Sequence, residues 1–180
     1  MRIALFLAAL TLPLAAADAA LAPGVKAPDF TTRGALAGKV FNLHLASALK
    51  KGPVVLYFFP AAYTSGCNAE AKAFAESIDQ FKAAGAEVIG MSADTVEQLQ
   101  KFSSEHCAGK FPVASAGPKI ISGYDVDSGR QYQDHAMTKR ISYVIAPDGK
   151  VLFVHDDPSP ADHIRTTLAA VQQYQAAHKH

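Results

Sequence analysis

The stretch Val54-Val-Leu-Tyr-Phe-Phe-Pro-Ala-Ala-Tyr-Thr-Ser-Gly-Cys67 leads an apolar run into a proline, a short turn and a cysteine. Residues 54–59 are long enough for a buried strand and are rich in β-branched and aromatic side chains. After the cysteine, apolar residues recur at helical spacing, at Ala71, Phe74, Ala75, Ile78 and Phe81. The stretch therefore predicts a strand, a turn and a helix that runs from Ser65 to Ala84, with Gly85 as its stop signal.

Cys67 falls in the first turn of that predicted helix, and Thr64 or Ser65 is the predicted cap. The first backbone N–H groups of a helix have no partner within the helix, and the helix dipole is positive at this end. Both effects favour an anion. Cys67 is therefore placed to react as a thiolate, which is the nucleophilic form of cysteine.

The bulk composition limits the kind of protein and the kind of partner. The chain has 180 residues, a length that suits one domain with its own hydrophobic core. Seventeen Lys and Arg residues against sixteen Asp and Glu residues leave a formal charge of +1. Because there are no basic or acidic blocks, the sequence does not indicate binding to nucleic acid or to an anionic membrane surface.

The first nineteen residues have the organisation of a secretory signal. Arg2 precedes an apolar stretch, and Ala17-Asp-Ala19 fits a cleavage site, so we expect residues 1–19 to be removed. The alternative is an uncleaved anchor, but the apolar stretch is short and is interrupted by Pro13. We therefore expect a secreted, periplasmic protein in which residues 20–180 form a single domain without stable membrane association.

The remaining elements alternate between strand and helix signals. Predicted strands, including an N-terminal hairpin, lie at 30–33, 40–45, 87–92, 111–115, 140–145 and 150–155. Predicted helices lie at 45–51, from a capping-box-like start at Asp94-Thr-Val-Glu97 to His106, and from a Ser159 cap onward, with a turn or small helix at 120–124. Residues 125–139 are polar, lack periodicity and are interpreted as a loop that borders the site before Arg140.

This order predicts an α/β fold, with a central mixed β-sheet flanked by helices and an N-terminal β-hairpin. The two strands and the helix at the end of the chain resemble the arrangement in thioredoxin. We found no internal repeat, low-complexity tract or linker in the sequence.

The residues around Cys67 resemble a known motif. Pro60-Ala-Ala-Tyr-Thr64-Ser-Gly-Cys67 is similar to the Pro-x-x-x-Thr-x-x-Cys motif of the peroxiredoxins in both residue types and spacing. The similarity continues in Ala27-Pro-Asp-Phe30, in Glu70 and in Arg140, and it covers nearly all of the predicted mature chain. Within that family the sequence most resembles the bacterioferritin comigratory protein or Q-type branch. The resemblance implies a thioredoxin-like fold and a thiol peroxidase.

Under this resemblance, Cys67 is the peroxidatic nucleophile that attacks hydrogen peroxide or an organic hydroperoxide. Thr64 would bind the peroxide or the thiolate, Pro60 would shield and shape the pocket, and Arg140 would orient both sulfur and peroxide. Taken singly, the three residues have structural explanations: a helix cap, a strand terminator and a charge at a strand end. Their joint spacing with Cys67 favours the catalytic roles, while the role of Glu70 stays open.

Cys107 is the other cysteine of the chain, and its role has several explanations. A sulfenic acid at Cys67 condenses with a second thiol, and the resemblance implies a resolving cysteine either five residues after the nucleophile or in the next helix. The first of these positions is Lys72, whereas Cys107 lies near the end of the next predicted helix. We expect Cys107 to resolve Cys67 after local unwinding, with a structural disulfide, a buried bystander or an external thiol as alternatives.

Two other functions are compatible with a thioredoxin-like fold. A secreted thioredoxin-like disulfide reductase would need a cysteine where Thr64 stands, and a non-catalytic thioredoxin-fold binding protein would not need Cys67. The seven histidines, among them His178 and His180, show no compact ligand pattern, and no cofactor or metal is implied. The expected partners are a peroxide and a thioredoxin-like or other thiol reductant protein.

Overall fold

A computed structural model of the chain describes residues 20–178. The predicted signal at residues 1–19 and the C-terminal His180 lie outside this range. In chain order the strands are β1 (Thr31–Leu36), β2 (Lys39–His44), β3 (Val54–Phe58), β4 (Glu87–Ser92), β5 (Val113–Ser115), β6 (Asp127–Tyr132), β7 (His135–Thr138), β8 (Ile141–Ile145) and β9 (Val151–Asp156). The helices are α1 (Leu45–Leu49), α2 (Ser65–Ala83), α3 (Val96–Glu105), α4 (Pro118–Gly123) and α5 (His163–Ala177).

The strand that opens the sequence analysis, β3, lies inside a seven-stranded sheet of order β2-β1-β5-β4-β3-β8-β9. β3, β4 and β5 run parallel, while β1 is antiparallel to β2 and β5, and β8 is antiparallel to β3 and β9. The predicted mixed sheet and the N-terminal hairpin are therefore confirmed. The predicted hairpin of β8 and β9 is confirmed as well.

Every residue of β3 is buried, because both faces of the sheet are covered. Side chains of a strand alternate between the faces. Val55 and Tyr57 enter the apolar cluster beneath α2 and α5, whereas Leu56 and Phe58 enter the cluster on the opposite face. The ring of Tyr57 stacks on Phe74 of α2 with a centroid distance of 4.3 Å, which fixes the helix against the strand that leads into it.

The N-terminal bounds of two helices differ from the prediction. The cap of α3 is Thr95, which forms a capping box with Gln98, and not Asp94. The cap position of α5 is Asp162, and Ser159 lies in the preceding turn, where its hydroxyl accepts a hydrogen bond from Ala161 N. In both cases the side chain that the sequence suggests as the cap forms its hydrogen bonds with other groups.

Residues 125–139 form a β-hairpin, so the prediction of a loop is wrong. β6 and β7 pair antiparallel as a separate two-stranded sheet, with an irregular register between Asp127 and Gln131. The reversal is made by Gln133 and Asp134, whose φ angles are +46° and +66°. Two successive positive φ angles match the right-handed twist of the strands, and neither residue is the glycine that usually marks such a turn.

Within residues 20–178, no helix has both the length and the apolar character that crossing a bilayer requires.

Candidate active site

The site lies where β3 passes into α2. Thr64 occupies the cap position with extended dihedral angles, and α2 begins at Ser65, so Cys67 is in the first turn as predicted. The Thr64 side chain does not cap the helix; its hydroxyl donates to the Ala61 carbonyl at 3.0 Å. The Cys67 side chain is buried, with 2% of the residue exposed. The thiol therefore sits at the positive end of a helix and out of bulk water.

Arg140 reaches the same point from a distant part of the chain. β8 is the antiparallel neighbour of β3, and Ile141 pairs with Phe58, so the residue before β8 lies beside the turn after β3. The Arg140 Nη2 atom donates to Cys67 Sγ at 3.5 Å. The sheet register thus brings the predicted guanidinium to the predicted nucleophile.

Glu70, whose role the sequence left open, holds this guanidinium. Its Oε2 pairs with Arg140 Nη1, and Arg140 Nε donates to the carbonyl of Pro158 at 2.9 Å. Residues three apart share a helix face, so Cys67 and Glu70 meet the same guanidinium. Each side of the Arg140 fork has a partner, and this arrangement fixes the direction in which Nη2 points.

The carboxyl of Glu70 is fully buried, and this burial raises its pKa to about 7, although the charge and hydrogen bond of Arg140 lower it. Within residues 20–178 its Oε1 has no hydrogen-bond partner, and it lies 4.0 Å from Nδ1 of His163. An acceptor that is buried without a donor favours the protonated form of a carboxyl.

His163 was not recognised from the sequence as part of this region. Its Nε2 donates to the Asp157 carbonyl at 2.9 Å, and its Nδ1 accepts from the Ser142 hydroxyl at 2.8 Å. Burial lowers its pKa to about 4, so the ring is neutral at pH 7. No local spacing signals this role, because Ser142 and His163 meet only through packing of α5 on β8.

Pro60 and Arg140 line a cavity of about 310 Å³ beside the β6–β7 hairpin. The other lining residues are Ser128, Arg130, Met137, Thr138, Lys139, Asp156 and Pro158. The hairpin therefore borders the same cavity as Pro60 and Arg140, two residues of the predicted site, whereas Cys67 and Thr64 are not among the residues that line it. Pro60 lies at the wall of the cavity, which agrees with the predicted shaping role.

Cys107 lies just after α3 and is fully buried. Both cysteines are free and belong to the same apolar cluster, which also contains Tyr57. Burial strongly raises the pKa of the Cys107 thiol, and burial is also the largest cause of the raised pKa of Tyr57. The Tyr57 hydroxyl has no hydrogen-bond partner among the described residues. The site thus holds two thiols in one low-dielectric region.

Across the part of the chain that the structure describes, no three His, Cys, Asp or Glu side chains are grouped so that they hold a metal ion.

Comparisons with known proteins agree with this geometry. The model of the AhpC/TSA family matches residues 23–154. The chloroplastic peroxiredoxin Q of Oryza sativa subsp. japonica is 33% identical over 150 residues. That alignment covers 83% of this chain and 66% of the rice protein, so the chain spans about two thirds of that relative's length.

Two solved structures support the fold, and in both the match covers a larger share of the other protein than in the rice relative. Peroxidoxin BcpB from Mycobacterium tuberculosis has a TM-score of 0.74 and 30% identity, covering 84% of this chain and 96% of that one. The bacterioferritin comigratory protein of Xanthomonas campestris, which has alkyl peroxide reduction activity, has a TM-score of 0.67 and 26% identity, covering 79% of this chain and 91% of that one. These likenesses confirm the predicted thioredoxin-like fold.

Proposed function

Because the chain belongs to the AhpC/TSA family of peroxiredoxins, we propose that it is a thiol peroxidase whose nucleophile is Cys67. The observation that carries the proposal is the 3.5 Å contact between Arg140 Nη2 and Cys67 Sγ at the start of α2. A guanidinium and the first N–H groups of a helix both stabilise a thiolate and the charge that develops on a departing oxygen.

In the first step, the Cys67 thiolate attacks one oxygen of the hydroperoxide. The new S–O bond forms as the O–O bond breaks, and the sulfur supplies the electron pair. The attacked oxygen keeps its hydrogen, so the product is Cys67 sulfenic acid. The departing alkoxide or hydroxide takes up a proton and leaves as an alcohol or water. Arg140 stabilises the negative charge as it passes from sulfur to oxygen.

Thr64 and Pro60 have supporting roles in this proposal. The Thr64 hydroxyl donates its hydrogen to Ala61, so its oxygen is available as an acceptor for the O–H of the hydroperoxide. Pro60 has no backbone N–H and presents an apolar ring to the cavity, which limits the water around Cys67. Together they orient the peroxide and keep the reacting sulfur dry.

In the second step, the Cys107 thiol attacks the sulfur of the sulfenic acid. An S–S bond forms, and the Cys107 proton leaves with the hydroxyl group as water. A thioredoxin-like or other thiol reductant protein then returns both cysteines to thiols by disulfide exchange. The substrates in this proposal are hydrogen peroxide and organic hydroperoxides, and the alkyl peroxide reduction by the Xanthomonas campestris protein supports the second class.

We also propose that the protein works outside the cytoplasm, in the periplasm. The sequence of residues 1–19, with its basic start and small-residue cleavage site, supports this location. The proposal predicts a mature chain that begins at Ala20. The N-terminal residue of protein recovered from the periplasmic fraction of expressing cells will test it, and a chain that still carries residues 1–19 would contradict it.

The activity is tested with the Cys67→Ser variant. We expect the purified variant to lose peroxide consumption in the presence of dithiothreitol, because serine is not ionised at neutral pH. Ala69→Ser is a matched control, since it adds the same hydroxyl at an exposed position of α2 and should keep the activity. An unchanged rate in Cys67→Ser would reject the mechanism, and reduction of insulin by the native protein would favour a disulfide reductase.

A further inference from the structure

Asp94 is a fully buried carboxylate between β4 and α3 that the proposed chemistry does not use. The sequence suggests a helix cap at this position, but the cap is Thr95. A buried carboxylate is costly unless charge and hydrogen bonds compensate it. Its partners therefore indicate what it does.

The two oxygens of Asp94 face different parts of the molecule. Oδ2 accepts from the backbone N–H of Ala62 at 2.8 Å and from the Ser92 hydroxyl at 2.6 Å. Oδ1 lies 3.1 Å from Nε2 of His135. The Ala62 N–H and the Ser92 hydroxyl both donate to Asp94, so its carboxyl group is the acceptor that they share.

His135 is the partner of Asp94 on the hairpin side. Its Nδ1 lies 3.0 Å from the carbonyl oxygen of Gln133, and its Nε2 lies 3.1 Å from Oδ1 of Asp94. The ring, supplied by β7, therefore bridges the turn of the β6–β7 hairpin and the buried carboxyl group.

These contacts join two segments of the proposed peroxidatic site, the turn before Cys67 and the β6–β7 hairpin. Ala62 belongs to the turn between β3 and α2, five residues before Cys67. His135 belongs to the β6–β7 hairpin, which lines the cavity next to Pro60 and ends just before Arg140. One carboxylate therefore holds the turn that presents the nucleophile and the hairpin that forms the cavity wall.

We propose that Asp94 is a positioning residue for the peroxidatic site, which couples the Cys67 turn to the β6–β7 hairpin through Ala62 N–H and His135. The proposal rests on the proposed peroxidase function of Cys67. Loss of the carboxylate leaves the Ala62 N–H and the His135 ring without their acceptor, so both segments gain freedom together. Cys67 then spends less time in the geometry that faces Arg140.

Asp94→Asn tests this coupling. The amide has the size of the carboxyl, but it has no charge and one of its ends carries donors, so the charged acceptor that Ala62, Ser92 and His135 share is lost. We expect faster amide hydrogen exchange, read by mass spectrometry, in residues 60–67 and in residues 127–138. We also expect the second-order rate constant of Cys67 oxidation, measured by quenched-flow mass spectrometry per reactive thiol, to fall roughly tenfold.

His135→Ala separates the contact to the hairpin from the contact to the turn, and it serves if Asp94→Asn does not fold. It removes the tie to the hairpin but keeps the Asp94–Ala62 bond, so exchange should rise in residues 127–138 more than in residues 60–67. His44→Ala is the matched control, because His44 pairs with Asp29 at 2.9 Å on an exposed surface outside the site. It should change neither the exchange of these segments nor the rate constant.

The outcomes are distinct. A carboxylate with only a structural role would lower the urea midpoint of Asp94→Asn but leave the rate constant per reactive thiol unchanged, and that result overturns the proposal. Unchanged exchange in residues 60–67 overturns it as well. If native protein does not consume peroxide, the proposed function fails, but the exchange measurement still decides whether Asp94 couples the two segments.

Discussion

The guanidinium of Arg140 has a different partner at each nitrogen: the Pro158 carbonyl at Nε, the Glu70 carboxyl at Nη1 and the Cys67 sulfur at Nη2. The planar fork therefore has one orientation in the site. The ammonium group of a lysine is a single charge on a flexible stem and makes only part of this set. The position of the positive charge relative to the sulfur depends on the Glu70 and Pro158 contacts.

The buried carboxyl of Glu70 makes stability depend on pH. Its pKa is about 7 in the folded protein, against 4.5 for a glutamate side chain in water. A raised carboxyl pKa means that the folded state binds the proton more tightly than the unfolded state between these two values. This contribution to stability is therefore fully present below pH 4.5 and is lost as the pH rises to about 7.

Glu70→Gln removes this dependence, because glutamine does not titrate. We expect the free energy of unfolding of the native protein, relative to the variant, to fall by on the order of 2–3 kcal/mol from low pH to pH 8. Urea unfolding of both proteins at several pH values in this range gives the difference. Parallel pH profiles for the two proteins would show that the pKa of Glu70 is the same in the folded and the unfolded protein, and would contradict the expectation.

At the scale of elements, the turn between β1 and β2 contains a strained backbone conformation that a single substitution can relieve. Ala37 has a φ of +50° and is followed by Gly38 at +75°. Two positive φ angles suit the twist of a two-residue hairpin, but the Cβ of alanine makes this conformation unfavourable. The turn is also fixed to α3, because Gly38 N donates to Ser103 and Gln100 donates to the Gly38 carbonyl.

Ala37→Asn should relieve this strain, because asparagine tolerates positive φ and the side chain is exposed. We expect a gain of about 1 kcal/mol in the free energy of unfolding, which corresponds to about 2–4 °C in Tm for a chain of this size. Differential scanning calorimetry measures it. Ala161→Asn, at an exposed alanine without a positive φ, is the control and should give no such gain.

The elements that the sequence predicted best have a strong local signal. β3 and α2 follow from an apolar run and a helical repeat, and β4 was predicted with the bounds that the structure has. Motif spacing predicted that Cys67 and Arg140 belong to one site. The register of β8 on β3 explains why these two residues meet.

The features that the sequence did not predict depend on contacts between groups that are distant in the chain. Asp94 suits a helix cap locally, but Ala62 and His135 use its carboxylate, and neither lies near it in sequence. The β6–β7 hairpin shows little alternation of polar and apolar residues, because most of its positions are polar. Its turn also lacks the glycine that usually signals a hairpin. Thr64 took the predicted cap position, yet its hydroxyl bonds to Ala61 instead of the helix. Local patterns do not specify which of several donors a polar side chain will bond.

At the scale of the whole molecule, both cysteines lie in the core on one face of the sheet. The disulfide that we propose between them would form after local unwinding of these buried segments. Two strained residues flank the cysteines: Tyr63 has a φ of +65° and Ala108 a φ of +50°. Each costs about 1 kcal/mol in the folded geometry, and unwinding of the α2 start and of the segment after α3 releases it. In the proposed resolving step, this strain lowers the free-energy cost of the unwinding.

The proposed pairing predicts one cross-link after a single turnover. Reduced protein treated with one equivalent of peroxide, trapped in acid and digested should contain a Cys67–Cys107 disulfide peptide. The cross-link should be absent in the Cys107→Ser variant, which would accumulate sulfenic or sulfinic Cys67 under excess peroxide. Sulfinic Cys67 together with free Cys107 in the native protein would contradict the resolving role.

The burial of both thiols also affects how the redox state of this protein must be assayed. Cys67 is 2% exposed and Cys107 is 0% exposed, so the folded, reduced protein offers almost no sulfur surface to a bulky maleimide or to Ellman's reagent. The proposed substrate, a hydroperoxide, needs far less space than these reagents, so reactivity with one does not report reactivity with the other. Thiol counts on the native protein will resemble those of an oxidised sample, and only alkylation of the denatured chain will distinguish the two.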